Sequence, residues 1–551
     1  MTSSALALDR SVVSPRAMVV AGHPLAVASG MKALRDGGTA CDAYVATAAT
    51  LSIPLTDMMG PLGSGYALVH LQGDEKTVRA IDYNGVAPAA TDVARFPTQE
   101  DKRRGILAGT VPGAIKGWEE VHKLCGKLPW ADLWADAIYY AENGWPIDSD
   151  TAGIINRHIP EIGIYDTWAS EFLNNGGEVT KGFVLKRPDL AESYKLFAEL
   201  GADALYKGPI GEKFVAFMEK ENGLITQADL DNYSVKWLDP ISVDYRGHTV
   251  YGAPPSSSSI TWMEILNTIE GYDLKALGHN SPEYLRVFIE ATKTAYQHAY
   301  QYVTDPAFID VPVERLLSDE NAAENRASID AGGVREFKPL DVASLYQPAW
   351  PNTSTSHMVI RDEMGNAISS TNTLGTFFGS GMVVEGTGLL TSNGMDWFDI
   401  TTNIWTGEKP GPLVMEPGKR NRWTLAPGMI FEGDKLFMLV GGAGAEATMW
   451  GIAQPIVNAI DFGMDPQAAL DAPRFRYGDI YHYTGGTNVG LEPGISDEAR
   501  TALTELGYSV DAPGTFSNAS RGTTQMMVVD KASGALWGGA APNGRDFLSG
   551  Y

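Results

Sequence analysis

A change of pattern near residue 354 constrains the fold of this 551-residue chain more than any bulk property does. Before it, much of the chain repeats apolar residues at spacings of three and four. Ala28, Met31 and Leu34, then Ala40, Tyr44, Ala48 and Leu51, read as a pair of core helices closed by Pro54. A Gly-rich turn at 60–65 leads into a strand from Tyr66 to Leu71. The pattern from Thr110 to Glu221 is mostly helical, and Tyr284 to Tyr302 is a long helix closed by Asp305-Pro306. Beyond 354 the pieces become strand, turn, strand. Ser356 to Arg361 and Ala367 to Leu374 flank a turn at 362–366. Lys435 to Val440 runs into Gly441-Gly442, and a helix from Glu446 to Ile460 follows, with Pro455 inside it. Thr523 to Val529 and Ala535 to Gly539 make a closing hairpin. Helices and strands in such blocks predict an α+β protein, with helices on the faces of a mixed or antiparallel sheet. The run Gln347 to Thr355 has two prolines and no periodicity, and reads as an exposed linker before a strand.

The length allows three or four ordinary domains or one large layered domain. Hydrophobic residues are 44% and charged residues 20%, which excludes disorder for most of the chain. The balance of 42 basic and 67 acidic residues gives 42 − 67 = −25. A field of that sign repels phosphate backbones and anionic membranes, so no nucleic acid and no membrane partner is expected. Two cysteines, Cys41 and Cys125, cannot build a disulfide framework and are read as buried thiols. The first thirty residues lack the pattern of a signal peptide, and no run of eighteen apolar residues occurs. These readings together predict a soluble cytoplasmic protein.

Most familiar chemistries lack an anchor. None of the nine histidines is paired at metal-ligand spacing, so neither a metal nor another cofactor is expected. There is no G-x-S-x-G elbow and no phosphate-binding loop of the G-x-x-x-x-G-K type. Gly442-Ala443-Gly444 lies between a strand and a helix but lacks the third glycine of a dinucleotide fingerprint.

The segment from Asn352 to Met395 is the informative one. It holds Thr355-Ser356-His357, then strand, a turn through Gly365-Asn366-Ala367, and strand. It resembles the γ-glutamyltransferase (γ-glutamyltranspeptidase) family of N-terminal nucleophile hydrolases. In that family a precursor cuts its own backbone before a threonine in a T-[TS]-H motif. Further matches fall in family order: Gly22-His23-Pro24, Gly37 to Ala43, Gly109 to Gly113, Pro254 to Ser257, Asp305-Pro306 and Asp471 to Phe475. The resemblance covers nearly the whole chain. It implies a four-layer αββα sandwich, a large subunit 1–354 and a small catalytic subunit 355–551 sharing one domain, and a possible higher oligomer.

The chemistry of Thr355 supports this independently. A threonine hydroxyl is a weak nucleophile until a base takes its proton. Cutting Ser354–Thr355 gives Thr355 a free α-amine beside its own Oγ. Such an amine titrates near pH 7.7–8.0 in model peptides, so it is a competent base at neutral pH. Gly444 and Ala445 precede a helix N-terminus, where free amides suit an oxyanion. The resemblance assigns Thr373 to the new amine and nucleophile, and puts Gly375 where the family has an asparagine.

The resemblance also implies three glutamate anchors that are missing. The position of the arginine that grips the α-carboxylate is Asn84. Met395-Asp396 is followed by Trp397 where an aspartate holds the α-ammonium. The supporting serine pair reads Trp423-Thr424. A buried zwitterion would lose partners for both charges. The resemblance thus implies a substrate-binding set of Asn84, Asn393, Asp396, Trp397, Trp423 and Thr424, and with the anchors missing the expected substrate is a small acyl amide that is not γ-glutamyl. Water or an amine accepts the acyl group. A true γ-glutamyltransferase and an uncleaved scaffold are the alternatives.

Overall fold

Among the described residues, fourteen strands make the two main sheets. In order they begin β1 (Val12–Ser14), β2 (Met18–Ala21), β3 (Ser64–His70), β4 (Arg79–Asp82), β5 (Lys236–Leu238), β6 (Ile241–Tyr245) and β7 (His248–Gly252). The remainder are β8 (Ser354–Arg361), β9 (Ala367–Gly375), β10 (Gly428–Glu432), β11 (Lys435–Ala443), β12 (Thr523–Val529), β13 (Leu536–Ala540) and β14 (Phe547–Gly550). The computed structural model describes residues 11–335, 354–400, 411–478, 486–512, 522–541 and 545–551. The expected linker lies outside them as far as residue 353.

One sheet has the order β14-β2-β8-β9-β3-β4-β5 and the other β1-β13-β12-β11-β10-β7-β6. Every pairing in both is antiparallel. Each sheet takes strands from before and after residue 354, so neither stretch of chain completes a sheet alone. With several smaller sheets and many helices, the protein is α+β, as the sequence pattern predicts.

Alternation along the strands divides the core. Met18, Val20, Tyr66, Leu68 and Val359 of the first sheet pack with Met429, Leu439 and Met527 of the second. The opposite faces of β2 and β3 bury Val19, Ala21, Ala67 and Val69 with the helices α1 (Pro24–Arg35), α2 (Ala40–Leu51) and α3 (Ala114–Cys125). The outer face of the second sheet, with Ile430, Met438 and Val440, packs on α4 (Ser259–Ile269), α5 (Pro282–Tyr302) and α6 (Ala447–Ile460). The paired core helices, the long helix, Pro455 inside α6 and the closing hairpin all match the pattern in the sequence. β11 is longer than expected, continuing through Gly441 and Gly442 to Ala443, and β8 begins two residues early, at Ser354.

The cysteines correct the reading made from composition. Cys41 and Cys125 form a disulfide, with their Cα atoms 5.6 Å apart. Cys41 lies in the first turn of α2 and Cys125 ends α3. Thr39, the N-cap of α2, donates its hydroxyl to the Cys125 carbonyl at 2.9 Å. Asp42 closes the same corner, accepting from the amides of Thr39, Lys127 and Leu128. A sequence separation of 84 residues hides this meeting of helix ends. Disulfides persist in oxidising compartments, which weighs against the cytoplasmic expectation. Among the described residues no helix is long and apolar enough to cross a membrane.

Candidate active site

β8 and β9 bring the candidate nucleophile to the edge of the space between the sheets. Their register pairs His357 with Thr371 and Ser356 with Asn372, but Ser354 with Gly375. Thr355 alone therefore opposes both Thr373 and Leu374, which is a bulge in β9. The bulge is held from both sides: the Leu374 amide donates to the Met58 carbonyl, and the Asn393 amide donates to the Leu374 carbonyl, each at 2.8 Å. Its effect is to turn Thr373 onto the peptide group before Thr355.

The result is a compact set of contacts. Thr373 Oγ1 donates to the Ser354 carbonyl at 2.5 Å and accepts from the Gly375 amide at 2.8 Å. Thr355 Oγ1 lies 2.6 Å from the same carbonyl oxygen and 3.1 Å from Thr373 Oγ1. Ser354 is buried, and its hydroxyl donates to the Asp57 carbonyl at 2.8 Å. Arg545 holds the Asp57 carboxylate at 3.1 Å. The hydroxyl of Thr355 and the carbonyl it would attack are thus in contact, and Thr373 polarises that carbonyl. Asp57 and Arg545 escape the sequence reading because they lie 297 residues before and far beyond the motif.

Along β8, Thr355 and His357 alternate with Ser356, whose hydroxyl points toward Gly22 and the α2 side. His357 faces the other sheet. Its ring fills the space that a Cβ at Gly441 would need, 2.1 Å from the nearest ring atom, which explains the glycine within β11. Nδ1 of His357 shares a hydrogen bond with Thr371 Oγ1 at 2.8 Å, and burial lowers its pKa to about 3. The histidine of the T-S-H motif is thus packed between the sheets, where burial disfavours its charged form.

Gly444 (φ +140°) and Ala445 (φ +49°) form the turn between β11 and α6. A side chain at Gly444 would meet the Gly522 backbone at 2.5 Å, and Ala445 holds a left-handed conformation that costs a non-glycine residue energy. Neither amide donates to a protein acceptor among the described residues. The next residue, Glu446, is buried and receives Arg422 Nη2 at 2.6 Å. Burial raises the Glu446 pKa and the Arg422 guanidinium opposes that rise. This ion pair ties the turn to Trp423.

Trp423 reaches back to the nucleophile. A Cβ on Gly375 would lie 3.3 Å from its ring and 2.0 Å from Asn393 Oδ1, and Gly375 has φ +108°. The space of the absent Gly375 side chain is filled. Asn393 is fully engaged: Oδ1 accepts from the Thr376 amide, and Nδ2 donates to Thr376 Oγ1 and the Arg103 carbonyl. Its amide is thereby turned onto the Thr376 and Arg103 segments. Trp397 stacks obliquely on Trp423, with ring centroids 5.0 Å apart. Main-chain bonds to Ser256 and Ser258 fix Trp423, and Thr424 is buried beside it.

Asp396 shares the short turn Gly394–Trp397. Lys102, buried and unseen in the sequence reading, donates to its carbonyl at 2.7 Å and to that of Phe398. Burial lowers the Lys102 pKa, and the charges of Asp396 and Asp399 counter this. Asn84 lies just past β4. Its amide donates to Asp82 Oδ1 and its carbonyl accepts from Tyr233, both at 2.8 Å. Its side chain is wholly buried, yet neither Oδ1 nor Nδ2 has a partner among the described residues. A Thr110 side chain wedged between Gly85 and Gly394 joins this corner to the Asn393 turn.

Comparison with known proteins bears on this geometry. The family model described as Gamma-glutamyltranspeptidase matches residues 26–551. The chain is 34% identical over 509 residues to the Acylase ACY 1 proenzyme of Pseudomonas sp. (strain SE83), covering 90% of this chain and 87% of that one. It is 32% identical over 543 residues to the Glutathione hydrolase-like YwrD proenzyme of Bacillus subtilis (strain 168), covering 98% and 99%. Among solved structures, a cephalosporin acylase from Bacillus halodurans superposes with a TM-score of 0.87 at 29% identity, covering 98% of this chain and 97% of that one.

Proposed function

The chain belongs to the gamma-glutamyltranspeptidase family, and from that premise we propose a self-processing threonine amide hydrolase that acts on a small acyl amide other than γ-glutamyl. The observation that carries the proposal is the pair of hydroxyls on one carbonyl: Thr355 Oγ1 at 2.6 Å and Thr373 Oγ1 at 2.5 Å from the Ser354 oxygen. In processing, Thr355 Oγ attacks the Ser354 carbonyl carbon. The C–N bond breaks, the nitrogen leaves as the free α-amine of Thr355, and water hydrolyses the resulting ester. In turnover that amine takes the Thr355 hydroxyl proton, the acyl group moves to Oγ, and the leaving amine departs protonated. Water or an amine then releases the acyl group. The amides of Gly444 and Ala445 are the oxyanion donors in this scheme, and Thr373 is the further donor during processing.

On this reading residues 1–354 form a large subunit and 355–551 a small one, in one shared domain. The interleaving of strands in both sheets supports that division, because cutting the chain leaves each sheet pinned by both parts. The arrangement of three apolar clusters supports a four-layer αββα sandwich of the N-terminal nucleophile type.

The acyl preference rests on charge. Asn84 brings no cation to a carboxylate, and Trp397 brings no anion to an ammonium. The relatives include proteins named as acylases and as glutathione hydrolases, so the test is a panel of acyl anilides on purified protein with γ-glutamyl anilide included. Turnover of simple acyl anilides with a poor γ-glutamyl rate is the expected result. A clear win for γ-glutamyl would select a true γ-glutamyltransferase instead. A full-length protein with no turnover would select an uncleaved scaffold.

A further inference from the structure

The unpartnered amide of Asn84 is placed by the sheet itself. Register pairs Thr373 with Ser64, and Tyr66 with Asp82. The ladder continues one step, since the Tyr83 amide donates to the Gly65 carbonyl. Thr355, Thr373, Ser64 and Asn84 therefore form one row across four adjacent strand lines. The face of that row follows from alternation. Tyr83 points to the helix side, where its hydroxyl meets Tyr44, Ser370 and Asn372. Asn84 and Asp82 therefore point the other way, to the side on which His357 faces Gly441. Three strand spacings put about 14 Å of backbone between Thr355 and Asn84.

Buried polar groups nearly always find partners, so an orphan in such a row calls for one from outside. Asn84 is the side-chain amide with both its oxygen and its nitrogen orphaned among the described residues. The orphaned indole N–H groups of Trp397 and Trp423 are less telling, because Trp134, Trp168 and Trp262 show the same thing in other parts of the core. A carboxamide offers one donor and one acceptor side by side. Its full complement is a group with the reverse pair.

We propose that the acyl group cleaved here carries, several methylenes from the scissile carbonyl, a neutral carboxamide that pairs bidentately with Asn84. The inference rests on the amide-hydrolase reading and names its substrate class. A carboxylate tail fits worse. The Asp82 carboxylate accepts from the Asn84 amide itself, so it lies at the same corner. Arg420, 3.3 Å from Asp82, already balances it and also donates to the Ser234 carbonyl. An apolar tail leaves both Asn84 atoms buried without partners.

The test uses the purified full chain and p-nitroanilides of three tail types, each with two to five methylenes. One tail ends in a carboxamide, one in the isosteric isopropyl group and one in a carboxylate. The carboxamide is expected to exceed both others in kcat/KM by about 10- to 100-fold at its best length, the scale of two neutral hydrogen bonds. In Asn84→Leu that ratio should collapse to about one or below. Binding of the free ω-carbamoyl acids against the isopropyl-ended acids, measured by calorimetry, reads the same preference without catalysis. Equal or better turnover of the apolar or carboxylate tail by the native protein overturns the inference and leaves the hydrolase reading intact. Preferential binding of carboxamide acids with no turnover of any anilide overturns the hydrolase reading instead. No preference in either assay overturns the site.

Discussion

The two ends of the row from Thr355 to Asn84 are built on opposite rules. At the Thr355 end the hydroxyls of Ser354, Thr355 and Thr373 all have partners: Thr373 and Thr355 on the Ser354 carbonyl, and Ser354 on the Asp57 carbonyl. At the Asn84 end a buried amide has none among the described residues. On the proposed reading the first end is complete before any substrate arrives, as a self-cleaving bond would require, and the second is left open for a ligand. On that reading chemistry belongs to the local pair β8–β9 and selectivity to residues beside it.

The largest expected effect tests the selective end. A γ-glutamyl group would lose two charge-assisted contacts at Asn84 and Trp397, each worth about 1.5–3 kcal/mol. If these add, γ-glutamyl anilide falls behind a simple acyl anilide of equal size by about 100- to 10,000-fold in kcat/KM. Steady-state rates on both compounds measure this, and parity would erase the contrast between the two ends. The reactive end is sharpened by Thr373→Val, which keeps the shape and deletes the donor to Ser354. Processing should slow by about 100- to 1,000-fold, the usual effect of losing one such donor, as followed by the ratio of intact to cut chain over time. Unchanged processing would mean that the bulge in β9 is only architecture.

A smaller effect lies outside both ends. Cys41→Ser should cost about 2–4 kcal/mol of stability through the lost cross-link, with the ranking of anilides unchanged. Thermal unfolding checks the first part, and thiol titration of the unreduced, unfolded native protein should find no free thiol. The smallest effect is on acid stability. Burial holds His357 near pKa 3, against about 6.5 in the unfolded chain. Between those values the unfolded state binds the extra proton, so its stabilising contribution is full above about pH 6.5 and fades as pH falls toward 3. At pH 5 the loss is about 2 kcal/mol. Denaturant midpoints at pH 5 and pH 7 measure it, and no decline would mean that His357 accepts a proton in place, against its packing on Gly441.

What the sequence reveals follows the range of the interactions. The pair β8–β9 and the helix pair α1–α2 are legible because alternation and helical spacing are local signals, and the T-S-H run that singles out Thr355 is local too. The glycine at 375 was legible as a departure, but its cause was not: Asn393, eighteen residues on, occupies the place a side chain would need. Asn393 itself was read as a substrate contact, whereas its amide is engaged by Thr376 and Arg103. Cys41–Cys125, Arg422–Glu446 and Asp57–Arg545 are meetings of distant segments, and nothing in the neighbouring residues announces them. Pairings of that kind depend on how helices and loops pack, which periodicity does not encode.

In the proposed scheme Thr355 cuts the bond before it. Intact-mass analysis of the purified protein, with N-terminal sequencing of the smaller fragment, tests it most directly when Thr355→Ala is run alongside. The native protein should give two chains, the smaller beginning at Thr355, and the variant a single uncut chain without amidase activity. A native protein that stays whole while hydrolysing amides, or a Thr355→Ala chain that still splits at this bond, would contradict the account.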